Sequence, residues 1–248
     1  MFLPVNDQTR GKIAANWRTA CNEVRSAATA TGRDPDEVRI VGVTKYVDAA
    51  TTAAVLDAGC GDLGESRPQQ LVEKTLALAD YLPQPRWHLI GSLQRNKVRR
   101  TVETAHVIHS IDTVKLLHFV DGIAGELKRS LEVLLEVNIS GDESKHGFAP
   151  DDLLSHADAF HQVAHVRIVG LMGMAGLDAD RDLAQRQFAA LRELRDRLAA
   201  GSGLPLPELS MGMSDDFSQA IAEGATIVRI GSKLFEGIIH DPAEGANL

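Results

Sequence analysis

Apolar residues fall into two rhythms along this chain, and they alternate. Short β-branched runs occupy 39–44, 62–64, 87–90, 107–111, 131–138, 168–172, 209–211 and 227–230. Several are apolar on successive residues, as in Val133-Leu134-Leu135, the pattern of strands buried on both faces of a parallel sheet. Between them lie stretches with helical spacing. Ile13, Trp17, Ala20 and Val24 recur on one face after a capping Asp7. Leu183, Phe188, Leu191, Leu194 and Leu198 do so over roughly 180–200, before Gly201-Ser202-Gly203 ends the helix. Eight strands with intervening helices fit an α/β fold, a closed (β/α)8 barrel of the TIM type preceded by one extra helix. An open doubly wound sheet is the competing architecture.

The 248 residues suit one domain, with the first helix over about 7–31 and the barrel over about 38–240. Only 4% of residues are aromatic, so the expected core is aliphatic. A net charge of −8 argues against nucleic acid as a partner, because phosphates need Lys and Arg. The basic run from Arg95 to Arg100 reads as a solvated helix face. Cys21 and Cys60 are too few for a disulfide framework and read as small buried hydrophobes of a reducing compartment. The first residues carry no basic, apolar leader, and no apolar run reaches the roughly 20 residues that span a bilayer. A cytoplasmic monomer without membrane contact is expected.

Candidate chemistry lies at strand ends. In a barrel, residues past the C-terminal end of each strand converge on one mouth, which here gathers Lys45, Glu65, Gly91, Asn138, Met172, Ser210 and Arg229. Lys45 directly follows Val-Gly-Val-Thr; held there with its stem in partly apolar surroundings, a lysine can condense with an aldehyde, or simply reach water. Two turns in the last quarter resemble anion sites. One is Ser210-Met-Gly-Met-Ser214, with Ser214 as a helix cap; the other is Arg229-Ile-Gly231-Ser232. A barrel phosphate site after its seventh and eighth strands is a recurrent arrangement. Arg229, always protonated, cannot give a proton to a pyridine nitrogen, and facing one it would keep that ring neutral. His88 reads as a satisfied core histidine, and the absence of HExxH or paired Cys/His spacing argues against a metal.

Six ordered motifs carry a resemblance over roughly 38–237. They are Val-Gly-Val-Thr-Lys45; Asp62-Leu-Gly-Glu65; Trp87-His-Leu-Ile-Gly-Ser-Leu-Gln-Arg-Asn-Lys97; Glu136-Val-Asn-Ile-Ser140 with Glu143-Ser-Lys145-His-Gly147; Gly170-Leu-Met172; and Ser210-Met-Gly-Met-Ser-Asp-Asp216 with Val228-Arg-Ile-Gly231. The chain resembles the pyridoxal phosphate homeostasis proteins. That resemblance implies a barrel like the N-terminal domain of alanine racemase. It implies pyridoxal 5'-phosphate (PLP) held as a Schiff base on Lys45, its phosphate held by Ser210, Gly231 and Ser232, and Arg229 facing the ring nitrogen. Ser214 belongs to the same candidate cofactor set. Departures from the family pattern are Ser66 for an asparagine, Val47 for a second lysine and Ser232 for a threonine; Lys145 matches a family lysine and is a candidate secondary docking point.

Three functions follow. The first is a carrier that buffers free PLP without turnover, with apo PLP-dependent enzymes as recipients; on this reading the chain, ending at Leu248, has no second domain to cover the cofactor and supply a base. The second is a racemase-like enzyme using Tyr46 or Asp215 as base. The third is a lysine-imine aldolase using Lys45 without a cofactor and binding a sugar phosphate.

Overall fold

A computed structural model describes residues 5–142 and 146–238. Helix α1 (Asp7–Ala30) is capped by Asn6 rather than Asp7: Asn6 Oδ1 accepts from the Thr9 N–H at 2.8 Å. Asp7 falls instead in the first turn, where its charge suits the positive end of the helix. Then come β1 (Arg39–Val43), α2 (Ala49–Asp57), β2 (Asp62–Glu65), α3 (Pro68–Ala77), β3 (Arg86–Leu89), α4 (Val98–Thr104), β4 (Val107–Ile111) and α5 (Val114–Glu126). The second half holds β5 (Leu131–Val137), α6 (Pro150–Ser155), α7 (Ala157–Phe160), β6 (Val166–Gly173), α8 (Arg181–Ser202), β7 (Glu208–Ser210), α9 (Phe217–Ala222), β8 (Ile227–Ile230) and a 3-10 turn, Ser232–Phe235. The strands pair in chain order, all parallel, and β1 pairs β8 to close the barrel. The expected eight strands are all present, with ends shifted by a residue or two; the open sheet is excluded.

Strand parity sorts side chains into two layers. Val133, Leu135 and Val137 belong to the main core, shared with helix residues such as Leu117, Phe188 and Leu191; Leu134 belongs to a separate cluster with Val107, Val169 and Met172. The main core therefore lies between barrel wall and helices, and the small cluster lies inside the barrel. By the same alternation Trp87, Leu89, Leu209, Met211, Val228 and Ile230 face the helices. His88, Ser210 and Arg229, each between two of these, face inward.

The N-terminal helix fills a gap in the outer ring. Among the described residues β8 is followed only by the Ser232–Phe235 turn, and α1 packs against that turn, α2 and α9, where an eighth helix would stand. Asn16 Nδ2 donates to the carbonyls of Leu234 and Glu236, each at 3.1 Å, and so secures that turn. In α8 the buried stripe starts at Ala184; Leu183, expected in it, is exposed, and Gly203 ends the helix at φ 74°.

Candidate functional site

Lys45 lies two residues past β1. Gly42 turns toward the helices, since a Cβ there would meet Cys60 Sγ and Leu234, so Val43 faces inward, and Lys45 follows in the turn at that end of the strand. Lys45 is half-buried, with Nζ 4.8 Å from the centroid of the Tyr46 ring. The neighbouring strand is β8, with Gly42 in register with Ile230. Gly231 follows at once, and a Cβ on it would come within 3.3 Å of Val43 Cβ, so the last turn touches the end of β1. Lys45 and the Gly231–Ser232 turn thus share one rim on adjacent strands.

Ser214 belongs to that rim without capping a helix. The chain turns over residues 214–216 and α9 begins only at Phe217. The Ser214 hydroxyl instead accepts from the Gly231 N–H at 3.3 Å, tying the turn after β7 to the turn after β8. Ahead of it Gly212 has φ 90°, where a Cβ would sit 2.6 Å from that of Ala220, so glycine is required. Ser232 is exposed at the start of its turn.

Beneath the rim lies Arg229, 4% exposed, with no carboxylate within ion-pair distance among the described residues. Nη1 donates to the Ser210 carbonyl (2.8 Å) and hydroxyl (2.7 Å), and Nη2 donates to the Gly173 carbonyl (3.1 Å). Three of the five guanidinium hydrogens are so committed, leaving the Nε–H and one Nη2 hydrogen for a ligand. Burial pushes its pKa down to about 10, against the pull of Asp216 and Glu136, so it stays charged at neutral pH. Those two carboxyls are raised by burial in turn.

Not every strand-end residue faces the mouth. Glu65 points outward between sheet and helices, paired with Lys74 of α3 and accepting from the Thr44 hydroxyl at 2.6 Å. Met172 is inside the barrel below the rim. Gly91 and Asn138 are partly exposed at the top; a Cβ on Gly91 would lie 2.2 Å from the Ser66 carbonyl oxygen, so a side chain there would drive two strand ends apart. Val47 packs against the main core. Lys145 lies outside the described residues. His88 is satisfied in the core, by Asp62 and by a residue the sequence reading passed over, His109.

The family model for the N-terminal domain of alanine racemase matches residues 11–237. A pyridoxal phosphate homeostasis protein of Pseudomonas aeruginosa is 42% identical over 223 residues, 90% of this chain and 94% of that protein. The chain belongs to this family. A homeostasis protein of Escherichia coli K12 is 33% identical, over 90% of this chain and 95% of its own length. Among solved structures, PipY of Synechococcus elongatus with PLP bound superposes with a TM-score of 0.79 at 37% identity, covering 90% of this chain and 99% of PipY. Alanine racemase of Clostridium difficile shares the fold, at a TM-score of 0.70 and 13% identity, covering 92% of this chain and 58% of its own.

Proposed function

We propose that this protein binds pyridoxal 5'-phosphate at the barrel mouth and serves the homeostasis of that cofactor without catalytic turnover. The observation that carries this reading is one rim bearing a half-buried lysine beside an anion-type turn on the adjacent strand, with a buried arginine below. When bound, PLP supplies an aldehyde and a pyridine ring. Lys45 is the amine for a Schiff-base linkage, in which its nitrogen bonds the aldehyde carbon and one water leaves. Ser214, Gly231 and Ser232 form the phosphate cradle. The Ser210 hydroxyl, fully buried against Arg229, acts on the site through that arginine rather than on the phosphate. Arg229 then offers a ring nitrogen a hydrogen bond and no transferable proton, which weakens the ring as an electron sink.

Absence of turnover is supported by the two side chains nearest to a role as base. Tyr46 is 65% exposed and Asp215 is exposed, and a wet base is a poor one. Delivery to apo enzymes, a cytoplasmic setting and action as a monomer complete the proposal.

Borohydride reduction of PLP-loaded protein followed by peptide mapping tests the linkage. The label is expected on Lys45, with an absorbance band near about 420 nm that Lys45→Ala lacks. A label elsewhere overturns the assignment. Steady exchange of the α-hydrogen of amino acids for deuterium, lost in Lys45→Ala, would establish an enzyme instead.

A further inference from the structure

A hydrogen-bonded file of side chains crosses the barrel interior from its bottom to Arg229. Asp62 Oδ1 lies 2.9 Å from His88 Nε2, His88 Nδ1 lies 2.9 Å from His109 Nε2, and His109 Nδ1 lies 2.9 Å from the Ser210 hydroxyl. Arg229 Nη1 meets the same hydroxyl at 2.7 Å. His88, His109 and Ser210 have at most 1% exposure, whereas the Asp62 side chain is 24% exposed, at a cleft of about 450 Å³ that Arg39, Trp17 and Cys21 also line.

The two ends fix the direction of every bond. Arg229 can only donate, so Ser210 accepts from it and turns its own hydrogen to His109 Nδ1. At the far end the Asp62 carboxylate only accepts, so His88 carries its hydrogen on Nε2 and offers a lone pair at Nδ1. His109 satisfies both neighbours only as the neutral ring with hydrogen on Nε2. Burial, with Arg86 and Arg39, holds the pKa of His88 down against the pull of Asp62, and burial, then His88 and the charge of Arg229, holds that of His109 well below its ordinary value.

We infer that His109, held in one tautomer by His88 and Asp62, is a positioning residue for the cofactor site: it keeps the Ser210 hydroxyl hydrogen away from Arg229, so that the guanidinium is fixed by its Nη1 edge and presents its remaining hydrogens upward. The inference rests on the PLP reading above. Without an acceptor at His109 Nδ1, the Ser210 hydrogen competes for the space of the arginine's own, and the guanidinium loses its anchor.

Long-range proton–nitrogen NMR correlation on the cofactor-free chain, labelled in histidine, reads the tautomers directly. Both His88 and His109 are expected neutral with hydrogen on Nε2 near neutral pH; a protonated ring or an Nδ1–H tautomer at either position overturns the inference. Transfer of PLP to an acceptor in excess then reads release. His109→Phe is expected to release it about tenfold faster, as loss of a buried hydrogen-bond partner requires. His109→Asn, which keeps an acceptor at the Nδ1 position, is expected to stay within about twofold of the parent. If His109→Asn matches His109→Phe, or if His109→Phe releases at the parent rate, the inference fails while the PLP reading stands. Failure of the unaltered chain to take up PLP overturns that reading and this inference with it. Should His109→Phe not fold, the tautomers of the unaltered chain decide.

Discussion

His106 accepts the Trp87 N–H at Nδ1, 3.0 Å away, a bond that requires a lone pair on that nitrogen. Burial, then the charges of Arg129 and Arg86, hold the ring's pKa below its ordinary 6.5. The folded ring therefore takes up a proton at lower pH than the unfolded one, and between the two values the unfolded chain carries the extra proton. The parent protein is accordingly expected to lose stability relative to His106→Asn, which keeps an acceptor and cannot titrate, as pH falls below 6.5. Urea melts of the two proteins at intervals between about pH 7.5 and 5 measure this, and parallel curves would refute it. Asp216 and Glu136 act with the opposite sign, since their folded pKa values are raised and acid relieves the cost of burying their charge. Both are common to parent and variant, so they cancel in the difference.

At the scale of elements, α1 is the piece whose contribution is most easily isolated. Ile13 is fully buried in its apolar stripe, and Ile13→Ala is expected to cost about 2–4 kcal/mol in urea denaturation, a transfer loss plus a cavity. Asn16→Ala removes two hydrogen bonds to the carbonyls of the last turn, and a loss of about 1–2 kcal/mol with weaker binding of inorganic phosphate is expected by calorimetry. Elements such as β4 and β8 were legible in the sequence to the residue, because strands buried on both faces are mostly apolar, β-branched runs, broken in β4 only by His109-Ser110 and in β8 only by Arg229. The same continuity concealed which residues face inward. Where apolar residues fill both parities, a histidine such as His109 draws no attention, and only the closed barrel, which sets it beside β3 and across the interior from β7, reveals its partners. Glu65 was gathered to the mouth for the same reason: strand ends were identifiable and their facing was not. Lys45, Arg229 and the Gly231 turn could be gathered to one end of the barrel because strand ends are legible, and the structure brings Lys45 and that turn to adjacent strands of one rim. Ser214 was assigned to a cap because its turn runs two residues longer than sequence spacing suggests.

For the whole molecule, a ligand bound at the mouth and the fold are thermodynamically linked. A ligand at about 100 times its dissociation constant stabilises the native state by about 2.7 kcal/mol. Saturating PLP is therefore expected to raise the melting temperature of the parent and to raise that of Lys45→Ala far less, as read by calorimetry at matched cofactor concentration. Equal shifts would mean that most of the affinity comes from the phosphate turns and Arg229. No helix among the described residues is long and apolar enough to cross a membrane, and the basic face at Arg95, Lys97, Arg99 and Arg100 is exposed to solvent.

Asn16 and Leu234 are 218 positions apart, yet one holds the other. During synthesis helix α1 leaves the ribosome with its greasy side uncovered, and its seat does not exist until the residues around Leu234 have been made. Ring closure thus joins segments far apart along the chain, and contacts of such long sequence separation are slow to form and leave apolar surface open until they do. The Gly231–Ser232 turn is fastened in that same step, so the phosphate cradle proposed for it forms only once the ring has closed.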